Sequence, residues 1–162
     1  KYPGGTPVLH LLNYKGPAVI TVGVEEPVTA IARLLAERHI GAVPVVDAAG
    51  HLAGMVSERS IVDALAHHGA QIEGLTARDI MTREVPTATR SEDIHSVARK
   101  MTRRHSRHMP VLDGSGHLVG LVSIGDIVRM RLEEAESLAR EMRAYVMQEG
   151  GHASVPPQPF AS

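Results

Sequence analysis

A chain of 162 residues with 43% hydrophobic side chains suits one ordinary globular domain, or two small units that share a core. Its 17 basic and 18 acidic groups nearly cancel, which argues against a nucleic-acid footprint or an anionic-membrane patch. The absence of cysteine excludes disulfides, thiol catalysis and thiolate metal sites. No apolar run approaches the ~20 residues that cross a bilayer, and no signal-peptide pattern opens the chain, so the expected location is the cytoplasm.

Taken in order, the chain predicts a first unit over 8–70. A short apolar strand, Val19–Val22, leads to a helix that starts after Pro27. Two strands in "VPVVDAAGHLAGMVS" follow, joined by an Asp-to-Gly turn, and a second helix closes the unit. Residues 71–83 form a linker, with a short helical lead-in from Thr76. A second unit over 84–132 repeats the order: a strand at Val85–Ala88, then a helix signalled by Ser91. Its Ile94, Val97, Ala98 and Met101 make one apolar stripe. The hairpin "MPVLDGSGHLVGLVS" comes next. The last helix is expected from Gly125 to about Met147. Over 133–148 it outruns the repeat, with Leu138, Met142, Tyr145 and Val146 as an apolar stripe that wants a partner. Residues 149–162 read as a flexible tail.

Shifted by 66 positions, residues 39–65 align with 105–131 without a gap and with 12 identities, Pro44/Pro110, Asp47/Asp113, Gly54/Gly120 and Ser57/Ser123 among them. One supersecondary unit is written twice. Each copy is too small to bury its own sheet well, so the two should pack through their sheets.

The paired patterns "HIGAVPVVD…GMVSERSIV" and "RHMPVLD…GLVSIGDIV", with the leader "ARDIMTREVPTATRSEDI", resemble the cystathionine-beta-synthase (CBS) domain family over about residues 8–132. The resemblance implies an α/β fold of two tandem CBS motifs, each strand-helix-hairpin-helix, packed through their sheets as a pseudo-two-fold module. It also implies clefts that hold adenosine-containing ligands such as AMP, ADP, ATP, NAD or S-adenosylmethionine, and association of modules into a homodimer. The chain is similar to free-standing CBS-pair proteins, which act on a regulated partner.

The corner Ser123-Ile124-Gly125-Asp126 matches the family's Ser/Thr-x-x-Asp. An ionised carboxylate at Asp126 can accept hydrogen bonds from both ribose hydroxyls. The helix start and the Ser123 hydroxyl suit a phosphate. The same spelling also describes a capping box, in which Ser123 caps the helix and Asp126 reaches back. The resemblance further places Thr87, Ala88 and Thr89 against the base or ribose. Backbone groups at Arg107, His108 and Met109, before Pro110, would read the adenine edge, with Met109 and Val122 over its face. Arg107 and His108 can also meet phosphate, or lie exposed in water.

In the first copy Ser60 replaces the aspartate, and Gly41, Ala42 and Val43 lack the polar groups of their counterparts. With Thr21, Ser57 and Arg59 they define a second, weaker site, where Arg59 can meet a phosphate. The chain has 10 histidines. His67 and His68 diverge on a helix, His105 and His108 straddle a helix end, and His51 and His117 in the hairpin turns read as exposed polar residues. No metal-ligand motif, Ser-His-Asp order, P-loop or GxGxxG pattern occurs, so neither a metal nor catalysis is expected. With Tyr2, Tyr14, Tyr145 and Phe160 as the only tyrosine, phenylalanine or tryptophan side chains, a base-stacking platform is not expected either. Two functions remain: an adenine-nucleotide sensor that acts on a partner by conformational change, and a ligand-independent dimerisation or scaffold module.

Overall fold

The computed structural model describes residues 5–149; the expected tail beyond them lies outside the described residues. The chain divides into two compact units, Lys1–Ile124 and Gly125–Ser162. Both hairpins fall in the first.

Helix α1 (Val8–Lys15) opens the first unit, and strand β1 (Val22–Gly23) pairs in parallel with β2 (Ala42–Val46). Between these strands lies α2 (Val28–Arg38), which buries Val28, Ile31 and Leu35. Strand β3 (Leu52–Ser57) runs antiparallel to β2, with Ala42 opposite Ser57. Helix α3 (Glu58–His68), a 3-10 turn at Gly69–Gly74 and the short α4 (Ala77–Ile80) connect to the second copy. There α5 (Ile94–Arg104) precedes the hairpin of β4 (His108–Leu112) and β5 (Leu118–Ser123). The mixed α/β order with two tandem hairpin motifs follows the repeat.

Four local expectations are corrected. The strand expected over Val19–Val22 pairs only at Val22–Gly23, and that expected over Val85–Ala88 is reduced to one parallel bridge between Ala88 and Val111. The second-copy helix is capped by Asp93, whose carboxylate accepts from the His95 amide at 3.1 Å, and not by Ser91. His51 and His117 are only about half exposed, because their rings stack at 4.5 Å where the two turns bridge.

Each turn is built the same way. Asp47 Oδ1 accepts from the amides of Ala49 and His51, and Asp113 Oδ1 from those of Ser115 and His117, all at 2.8–2.9 Å. These amides hold both carboxyls below the usual aspartate range; the bond from His51 leads for Asp47, and that from His117 for Asp113.

The two motifs exchange their lead-in segments. The segment ending in α4 packs on the first motif: Ala77 N–H donates to Glu26 at 2.9 Å, and the Thr82 and Met55 amides bond reciprocally to each other's carbonyls. Helix α1 does the same on the second motif, where Val8 N–H donates to Glu92 at 2.8 Å and Ile94 N–H to Thr6 at 2.8 Å. Val8 therefore plays the part of Ala77, and both are 0% exposed. This explains Gly54 and Gly120. A Cβ on Gly54 would lie 2.6 Å from the Thr82 carbonyl oxygen, and one on Gly120 would lie 2.6 Å from a Leu12 methyl. At Gly54 the close passage of the lead-in backbone requires glycine, whereas at Gly120 an added Cβ meets only a movable side chain.

Helix α6 (Ile124–Glu149) runs unbroken past the expected boundary at 132. Asp126, Ile127 and Met130 are buried at its start, whereas Leu132, Leu138, Met142, Tyr145 and Val146 are exposed. No described helix is long and apolar enough to cross a membrane.

Candidate functional site

The register of the second hairpin sets His108 opposite Ser123 and Met109 opposite Val122. Ala88 lies on the other side of β4, donating to the Pro110 carbonyl and accepting from the Leu112 amide, both at 2.9 Å. The candidate residues of Thr87–Thr89, β4 and β5 are thus laid side by side. Lys100, which the sequence reading missed, braces this edge: its ammonium donates to the Thr87 carbonyl at 2.8 Å and pairs with Glu92 at 3.1 Å.

Burial sorts these residues. Arg107 and Thr89 are exposed, and Thr87, His108 and Ser123 are half-buried. Met109 and Val122 are both 0% exposed, and Ala88 and Pro110 are also buried. In this conformation the Met109 and Val122 side chains fill the core and offer no surface to a flat ligand. What the edge presents is polar: two threonines, a histidine, a serine and an arginine.

The strand-to-helix corner has the same latch in both copies. Glu58 N–H donates to the Gly41 carbonyl, and Ile124 N–H to the Arg107 carbonyl, each at 2.9 Å. The first amide of each helix is therefore committed to protein. In the first copy the third is as well. Ser57 Oγ accepts from the Ser60 amide and Ser60 Oγ from the Ser57 amide, both at 3.1 Å, which completes a capping box. Arg59 pairs with Asp63 at 3.2 Å along α3. The donors that a phosphate would need at the first corner are largely engaged.

In α6 the Asp126 carboxylate is 8% exposed and its Oδ1 accepts from Arg129 Nη2 at 3.0 Å. Arg129 stands three residues on, a spacing visible in the sequence but not weighed there. The two candidate sets also meet. A Cβ on Gly41 would lie 3.4 Å from His108 Cε1 and 3.0 Å from Glu58 Oε1, so the imidazole of the second set lies over the glycine of the first. Thr21, the remaining member of the first set, is exposed just before β1. Among the described residues, no group of three or more histidines or carboxylates is placed to hold a metal ion.

The CBS domain family model matches residues 15–67 and 77–133. The chain is similar to the solved CBS-domain containing protein ATU1752 from Agrobacterium tumefaciens, at 36% identity and a TM-score of 0.74, over 81% of this chain and 98% of that one. It is similar to the CBS domain pair of protein MJ0100, solved in complex with 5-methylthioadenosine and S-adenosyl-L-methionine (32% identity, TM-score 0.68, 77% of this chain and 98% of that one). It is also similar to CBSX2 in complex with AMP (25% identity, TM-score 0.70, 81% of this chain and 99% of that one). The chain spans 65%, 24% and 21% of the lengths of three curated relatives that it matches. With both hairpin motifs matched in tandem, the chain belongs to the CBS domain family.

Proposed function

We propose that the chain is a regulatory module that binds an adenosine-containing ligand, with AMP the first choice, at the corner of the second motif. It passes the binding on to a partner protein by conformational change, without catalysis of its own. The observation that carries this reading is the contrast between the corners. The second corner places a buried carboxylate, Asp126, where the first has only the hydroxyl of Ser60. The complexes of MJ0100 with methylthioadenosine and S-adenosylmethionine, and of CBSX2 with AMP, support the ligand class. Asp126 takes the ribose hydroxyls, Ser123 and the helix start take the phosphate, and Thr87, Thr89, Arg107 and His108 line the approach. ADP, ATP and NAD belong to the same class, but one helix start with part of its amides engaged suits a single phosphate. The module works as a homodimer in the cytoplasm.

The test is thermal-shift screening against AMP, ADP, ATP, NAD and S-adenosylmethionine, with calorimetry on each hit. A ligand at a hundred times its dissociation constant adds about 2.7 kcal/mol of stability. Asp126→Ala should weaken binding by about one to two orders of magnitude, since hydrogen bonds to a charged group contribute about 1.5–3 kcal/mol. Asp126→Asn keeps a capping acceptor but loses the charge, so it should lose affinity with little loss of stability. A 2′-deoxy ligand should weaken the wild type far more than the Ala variant. If no adenosine compound shifts the melting curve, the ligand reading fails and a ligand-independent scaffold takes its place. If Asp126→Ala keeps full affinity, the ribose assignment fails.

A further inference from the structure

Helix α6 continues for four turns beyond the family match, which ends at residue 133. Along it Val128, Leu132, Ala135, Ala139, Met142 and Val146 recur at alternating intervals of four and three, and every one of them is exposed. The four large ones keep 52%, 58%, 62% and 64% of their surface in water. Leu138 and Tyr145, beside this line, are exposed at 45% and 64%. A spacing of 3.5 residues is that of a two-helix seam, narrower than the wide stripe of a helix lying on a globular core.

We propose that this line is the seam between two copies of the chain, with their α6 helices packed parallel and in register. The inference rests on the two-copy assembly proposed above and gives it a location and a direction. The charges beside the seam choose the direction. In a parallel pair Arg131 stands across from the partner's Glu136, five residues on, and the symmetric contact forms on the other side. In an antiparallel pair that matches Val128 with Val146, Leu132 with Met142 and Ala135 with Ala139, Glu136 meets its own copy and Arg129 meets Arg143. Opposite charges face each other in the first arrangement and like charges in the second. A second copy is also the occupant that needs no complementary sequence, because in register each apolar layer meets itself. The Ala135 and Ala139 layers let the helices approach closely at mid-seam.

The chain contains no cysteine, so a single introduced thiol reports without interference. Sedimentation of the wild type at micromolar concentration should show a dimer, and Leu132→Glu should weaken it by about a hundredfold or more. Because Leu132 is exposed, that variant should keep the wild-type circular dichroism and melting response to AMP. Met142→Cys alone should give a covalent dimer on mild oxidation, released by reductant. A monomeric wild type overturns both the seam and the two-copy assembly. A dimer that persists unweakened in Leu132→Glu keeps the assembly and overturns the seam. Cross-linking that requires Leu132→Cys mixed with Met142→Cys, and fails for Met142→Cys alone, overturns the parallel direction.

Discussion

Replacing Gly54 and Gly120 with alanine, one at a time, tests the exchange of lead-in segments, because the two equivalent positions meet different kinds of neighbour. At Gly54 the new methyl would sit 2.6 Å from the Thr82 carbonyl oxygen and 3.0 Å from Met81. That carbonyl accepts the Met55 amide at 3.0 Å, and Thr82 N–H donates back at 2.9 Å, so it cannot retreat without loosening both bonds. Overpacking costs about 1–3 kcal/mol and a weakened hydrogen bond about 1 more, of which the lost unfolded-state freedom of glycine offsets about 0.4–1, which places Gly54→Ala at about 1–3.6 kcal/mol of lost stability. At Gly120 the methyl meets only the end of the Leu12 side chain, at 2.6 and 2.9 Å. Leu12 can turn aside at about 0.5–1.5 kcal/mol, and loss of glycine's unfolded-state freedom offsets about 0.4–1 of that. Gly120→Ala should therefore lie near neutral, and below 1.5 kcal/mol. The measurement is the urea midpoint at unchanged slope. In melting temperature, each kcal/mol is worth about 2–4 °C for a chain of this length. A Gly120→Ala loss equal to or larger than that of Gly54→Ala would refute the assignment of the two crossings. In a Leu12→Ala background the Gly120→Ala penalty should vanish; if it is unchanged, the methyl meets something other than Leu12.

Three further outcomes follow from local geometry. Asp47 and Asp113 have folded pKa values below the ordinary ~3.9, so their contribution is full above that value and is lost as pH falls through the lowered one. Acid unfolding followed by circular dichroism should thus steepen below about pH 4, and less so in Asp47→Asn with Asp113→Asn; identical acid limbs would contradict the linkage. His39 and His105 end α2 and α5 in the left-handed region, at φ 53° and 51°, where glycine is at ease. Each His→Gly replacement should raise stability by about 0.5–1 kcal/mol, and a lowered urea midpoint would show that the ring does more than terminate the helix. Ser57→Ala removes the acceptor for the Ser60 amide and should lower stability by about 1 kcal/mol, with no loss of affinity for an adenosine ligand at the second corner.

The repeated body of the fold was legible because its period held at 66 positions from Val19 to Leu65. Helix α1 was not. It is the counterpart of α4, yet Val8 and Ala77 are 69 positions apart, so the ungapped shift that revealed the hairpins carried the lead-in out of register. The first strands were overdrawn for another reason. Apolar residues show where a segment can be buried, whereas pairing depends on how far the neighbouring backbone runs alongside. At the site, nothing in the sequence signalled that Met109 and Val122 are fully buried. Three of the five residues of β4 are buried in succession, so the strand is covered on both faces and alternation could not say which side chains look outward. Lys100 was missed because its work is done on a carbonyl, and backbone acceptors leave no mark in a sequence.

The corner itself shows why spelling alone does not decide between a cap and a site. Among the described residues, three helices open with a hydroxyl residue followed three positions later by a small polar one. At α3, Ser57 and Ser60 close on each other. At α4, Asp79 reaches back to the Thr76 amide at 2.8 Å, so a Thr-x-x-Asp here is a capping box outright. At α6, Asp126 counts Arg129 among its partners. A serine is both donor and acceptor and can satisfy itself within one turn. A buried carboxylate is acceptor-only and needs donors from elsewhere, which makes it a stable feature of a helix start only where such donors are supplied. Arg129 supplies one of them from an exposed position, 63% open to water, where it can be displaced at little loss. The second copy thus keeps a buried carboxylate at its corner, whereas the first carries a hydroxyl. On that difference rests the assignment of the ligand to the second motif.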